Sequence, residues 1–166
     1  MDFAYADYLS RYPALNVSLD EDTMYQTILV PLDGSKESEV ILPQVESLAR
    51  QHNANVIFLK VVEAQLLLVP AKPFQMEFGS LDERPYHKKV RSYLEVKQEF
   101  FQTKGLKAEI RVEEGSIVET IISVAKREQA DLIVMTSRGR TGWSRLLYGR
   151  VAADVLDQAG RPVLLI

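Results

Sequence analysis

No cysteine occurs in the chain, which excludes disulfides, thiolate metal sites, iron–sulfur clusters and cysteine nucleophiles. Histidine is almost as scarce. His52 and His87 stand far apart in the chain, so a histidine-based metal centre has little support. No apolar run approaches the roughly 20 residues that span a bilayer, and the first residues lack the basic start and apolar stretch of an export signal. Charge of one sign is also missing: 20 basic against 23 acidic residues leave a net −3. Generic binding to nucleic acid or anionic membrane draws on excess positive charge. These absences point to a cytoplasmic protein with neither nucleic acid nor membrane as partner.

What is present suffices for one domain, since 166 residues with 46% apolar composition can bury a proper core. Tyr25 to Leu32 reads as a first buried strand, and Asp33, Gly34 and Ser35 turn it into a helix. Ser35 suits the N-cap, and Glu37 and Glu39 suit the positive helix start. That helix is expected to run to about His52 with Val40, Ile41, Val45, Leu48 and Ala49 as its apolar face, kinked or started late by Pro43. His52 is expected at the surface, near terminal carbonyls. Asn55 to Val62 is a second strand. Tyr86 to Lys104 has a helical period (Tyr86, Val90, Tyr93, Leu94, Phe101), with His87 in a solvated first turn and Gly105 as the stop. Leu106 to Glu113 alternates as a third strand. Ser116 to Glu119 reads as a capping box opening a helix that buries Ile117, Ile121, Val124 and Ala125. Leu132 to Met135 is a fourth strand, Ser144 can cap the last helix and Gly160 can end it, and Pro162 to Ile166 forms a fifth strand. Strands alternating with helices imply right-handed crossovers and a doubly wound parallel α/β sheet.

Two segments stand outside this rhythm. In residues 1–23, Tyr5, Tyr8, Leu9 and Tyr12 fall at helical spacing before Pro13, the pattern of a short amphipathic helix. It suits an arm that packs on a partner subunit, or a tail docked on its own domain. Glu63 to Pro85 is too long for an ordinary connection, and suits either a cover over a ligand crevice or a subunit contact.

Chemistry concentrates between Asp131 and Val155, DLIVMTSRGRTGWSRLLYGRVAADV. Strand, glycine loop and helix make an anion-binding design, because a helix start presents unpaired N–H groups and glycine lets a phosphate approach the backbone. Charge agrees. Arg138, Arg140, Arg145 and Arg150 fall there, with no carboxylate between Leu132 and Ala153.

Gly139, nine residues, then Gly149, after ADLIVM and before RPVLLI, resembles the C-terminal signature of the universal stress protein family. Nucleotide-binding members of that family carry Gly, two residues, Gly, nine residues, Gly, then Ser or Thr. Here Thr136 replaces the first glycine, Arg150 replaces the hydroxyl residue and Arg138 takes a place where histidine is common. The resemblance covers residues 24–166, leaving residues 1–23 as an N-terminal extension. It implies an adenine nucleotide alpha hydrolase-like fold with strand order 3-2-1-4-5, and a homodimer joined through the final strand, Val163 to Ile166. It further implies an ATP site between the first and fourth strands. Asp33 would contact the adenosine part, Pro31 would line the pocket, and Val61 and Met135 would flank adenine. N–H groups around Gly139, Gly149 and Arg150 would hold the phosphates, bridged by magnesium or manganese, and Thr136, Arg138 and Val151 would belong to the same site.

From the residues alone, Asp33 serves equally as an Asx-turn residue and the arginine cluster as a solvated face. A dimeric stress-response interaction module that binds no nucleotide is therefore the alternative. Enzymatic activity is expected to reach slow ATP hydrolysis at most, because the loop holds no carboxylate or histidine to activate water. The Walker pattern GxxxxGK followed by Ser or Thr is absent, as is an HxGH motif.

Overall fold

A computed structural model of the chain describes residues 24–63, 85–137 and 145–166. The N-terminal helix, the Glu63 to Pro85 connection beyond its ends and the Ser144 cap expected from the sequence lie outside them. Elements follow in the order β1 (Thr27–Pro31), α1 (Lys36–Glu39), α2 (Leu42–His52), β2 (Asn55–Val62) and α3 (Pro85–Thr103). Then come β3 (Lys107–Glu114), α4 (Ile117–Arg127), β4 (Leu132–Met135), α5 (Arg145–Gln158) and β5 (Val163–Leu165). All neighbouring strands pair in parallel, in the order β3-β2-β1-β4-β5. The expected doubly wound α/β sheet is therefore present.

Its middle strands are apolar runs because both faces are covered. Ile28, Val30, Val56, Phe58 and Val134 point to one layer with Val45 and Ala49 of α2 and Leu94 and Phe101 of α3. Leu29, Ile57, Leu59 and Ile133 point to the other, with Ile121 and Val124 of α4 and Val155 of α5. Two polar ties fix the frame. The Asp131 carboxylate accepts from the N–H groups of Gln26 and Thr27 at 2.7 and 2.8 Å, anchoring β1 to β4 at their starts. Arg161 donates to the carbonyls of Ala125 and Ala130 at 2.7 and 2.6 Å, closing the end of α4.

Proline acts as expected. The helix after β1 is two pieces, with Ser35 capping α1 (Ser38 N–H to Ser35 Oγ, 3.1 Å) and Pro43 in the first turn of α2, where its missing N–H costs no bond. The break turns Val40 outward, 57% exposed, against its expected place on the apolar face.

Both histidines are buried rather than solvated. His52 continues the Val45, Ala49 stripe by one more helical step and meets the Tyr25 ring edge-on at 5.2 Å. His87 shares a stripe with Val90, Leu94 and Phe101, and its Nε2 lies 2.8 Å from Glu114 Oε1 on β3. Tyr86, on the neighbouring azimuth, is the exposed one at 56%. The capping box also differs. Ser116 has the extended backbone of an N-cap but its side chain makes no cap bond. Gly115 packs there so tightly on Thr120 that a Cβ would stand 2.7 Å from the Thr120 hydroxyl, and its φ of +147° also favours glycine.

Candidate functional site

β1 is where the strand order reverses, with β2 on one side and β4 on the other, and connections leave in opposite directions there. A cleft of about 500 Å³, open to solvent, lies beyond the carboxyl ends of these strands. Pro31 to Asp33 come from β1 and its turn, Leu59 to Val61 from β2, and Met135 and Thr136 from β4. Helices close it with Ser38, Ile117, Ile121 and Val151.

Asp33 is its charged centre. One carboxylate oxygen, Oδ1, accepts from the Ser35 N–H at 2.8 Å and from the Ser35 hydroxyl. This is an Asx turn, and Gly34 supplies its positive φ of 85°. The other oxygen, Oδ2, is buried and has no hydrogen-bond partner among the described residues. An Asx turn needs only one oxygen, so the turn leaves the second unexplained. Lys60 braces the same loop from β2, its Nζ donating to the Asp33 carbonyl at 2.8 Å. Burial alone would raise the Asp33 carboxyl. Hydrogen bonds from Ser35, aided by Ser38 and the Lys60 charge, outweigh it and hold the carboxyl below the ordinary aspartate value.

Of the residues singled out in the sequence, Pro31, Asp33, Val61, Met135, Thr136 and Val151 line this one cleft. Gly149 and Arg150 follow four residues into α5, and Arg150 is exposed. Arg138 and Gly139 lie outside the described residues. Sequence reasoning missed Leu32, Ser38, Leu59, Lys60, Ile117 and Ile121. Leu59 and Lys60 directly precede Val61, so strand ends at the switch point were the available signal. Ile117 and Ile121 read only as a helix's core face, because periodicity does not tell a core wall from a pocket wall.

The family model for universal stress proteins matches residues 24–166. The chain belongs to the universal stress protein family. A universal stress protein of Synechocystis is 32% identical over 143 residues, covering 86% of both chains. One from Methanocaldococcus jannaschii is 28% identical over 158 residues, 94% of this chain and 91% of that one. Among solved structures, a second Methanocaldococcus jannaschii universal stress protein superposes with a TM-score of 0.71 at 26% identity, over 87% of this chain and 96% of its own. A universal stress protein in complex with cAMP gives 0.63 at 22% identity, over 86% and 96%. One from Archaeoglobus fulgidus in complex with dAMP gives 0.60 at 18%, over 87% and 99%. The shared architecture is the adenine nucleotide alpha hydrolase-like fold. Within this universal stress protein, no helix of the described residues is long and apolar enough to cross a membrane.

Proposed function

We propose that the domain binds an adenine nucleotide, ATP, in the cleft between β1 and β4, and that a partner reads its bound state. The observation that carries this reading is Asp33 Oδ2. A carboxylate oxygen removed from water without a donor is costly, and a ribose hydroxyl or the adenine amino group supplies one. Val61 and Met135 are the apolar walls for adenine, beside Pro31. Relatives solved with cAMP and dAMP support the choice of base. Thr136, Arg138, Gly139, Gly149, Arg150 and Val151 form the phosphate end. In this reading magnesium or manganese would come with the nucleotide, held by its phosphate oxygens. Regulation requires that ATP favour one of two states.

Arg150 replaces a hydroxyl by a cation, and a charge-assisted phosphate contact is its expected role. Titrating ATP with magnesium into nucleotide-stripped protein should give micromolar binding by calorimetry and a change in Trp143 fluorescence. Arg150→Ser should alter the affinity by less than about tenfold, exchanging one phosphate contact for another. No binding by the parent with clear binding by Arg150→Ser would show that arginine closes the site, and the interaction module would take its place.

The two sheet edges support a homodimer in either case. The β3 edge is charged, with Arg111 bonded to Glu109 and Glu128 at 2.8 and 2.9 Å. At the other edge Leu164, Ile166 and the α5 residue Leu156 are exposed, the kind of edge that a partner strand covers. Leu164→Lys should sediment as a monomer where the parent is a dimer; an unchanged mass would move the dimer away from β5.

A further inference from the structure

α1 (Lys36–Glu39) is a single helical turn, too short to hold its own shape, because a first turn fixes several residues for one hydrogen bond. It nevertheless carries one wall of the cleft: Asp33 leads into it and Ser38 stands within it. A chain of bonds joins the two. Asp33 Oδ1 accepts from the Ser35 N–H and hydroxyl, Ser35 Oγ accepts from the Ser38 N–H at 3.1 Å, and the Ser38 hydroxyl donates back to the Ser35 carbonyl at 2.9 Å. Whatever fixes the far end of α1 therefore helps to fix the Asp33 carboxylate.

That far end is Glu39, and α3 takes hold of it. Tyr93 donates its hydroxyl to Glu39 Oε1 at 2.9 Å, and Lys97 Nζ donates to Oε2 at 2.7 Å. Lys97 also lies over the Tyr93 ring at 5.2 Å, so the three side chains close on one another. Lys60 of β2 braces the near end through the Asp33 carbonyl. Burial, then the Glu39 bond and the charges of Glu39 and Asp33, push the Tyr93 phenol above the ordinary tyrosine value, which keeps it a donor.

We infer that Tyr93 is a positioning residue of the cleft: through Glu39 and the one turn of α1 it sets where Asp33 presents its second oxygen. Tyr93 itself does not line the cleft. The inference rests on the nucleotide reading above, in which that oxygen meets the ligand. A contact arranged in advance adds affinity because less ordering remains to be done at binding.

Tyr93→Phe tests this with little else disturbed, since the ring stays on the core and α2 keeps its own tie to α3 through Glu46 and Lys104. In calorimetry of the full-length protein with ATP and magnesium, well below the unfolding midpoints, affinity should fall about three- to tenfold. A merely structural role would cost the same in any background. A positioning role acts through Asp33, so in Asp33→Asn protein the same substitution should cost less than about twofold. An affinity unchanged by Tyr93→Phe overturns the inference, and so does an equal loss in both backgrounds. If Asp33→Asn alone binds ATP as the parent does, the adenosine reading of the cleft is what fails, and the inference falls with it.

Discussion

Asp33→Asn should weaken ATP binding about 10- to 100-fold, the effect of losing a hydrogen bond to a charged group. Asparagine is the informative change. Its amide oxygen can keep the Ser35 bonds that Oδ1 now accepts, so the turn and the fold persist. Its NH₂ group then stands where the unpartnered Oδ2 is buried, setting donors against the donor of the ligand. Calorimetry of both proteins, with unfolding midpoints measured alongside, separates loss of binding from loss of structure. Equal affinities would remove Asp33 from the site and with it the main support for adenosine recognition. Acidity gives a second test. Since the Asp33 carboxyl is held below its ordinary value, its charge survives as pH falls through the usual aspartate range. Affinity dependent on that charge is therefore present at neutral pH and lost only as pH falls through the lowered value of the folded protein. Affinity that already falls between pH 7 and 6 would point to a group other than Asp33.

Phe101→Ala should cost about 3–5 kcal/mol of stability. Phe101 and Phe58 are both fully buried, their rings edge to face at 5.0 Å and 81°. Truncation removes that contact and leaves a cavity between α3 and β2, where Leu94 and Ala108 also pack. Urea unfolding should show a lower midpoint with an unchanged slope, and the thermal midpoint should fall by about 10 °C or more. The cleft is formed without Phe101, so ATP affinity measured well below the midpoint should stay near that of the parent. A loss under about 1 kcal/mol would mean that α3 closes over the gap.

Much of the architecture was legible because it rests on local repetition. Asn55 to Val62, apolar after its first residue except for Lys60, and Leu132 to Met135, apolar throughout, are runs of strand length, and they are strands with those bounds. Pro43 announced its break through its missing N–H. Where two helical stripes competed, the period was ambiguous: Tyr86 and His87 are neighbours, one exposed and one buried, and nothing local says which azimuth of α3 will meet β3.

By itself, then, the amino-acid order determined the alternation of strands and helices, and through it a parallel doubly wound sheet. Family resemblance, rather than periodicity, singled out Pro31, Asp33, Val61, Met135, Thr136 and Val151, which line one cleft. The tertiary structure decided what those residues do for one another. Only it places Lys60 on the Asp33 loop, brings Ile117 and Ile121 into the cleft wall, and leaves one oxygen of Asp33 buried without a donor among the described residues. Periodicity is a property of neighbouring residues, whereas hydrogen-bond satisfaction depends on atoms brought together by the packing of β1, β2, α4 and β4.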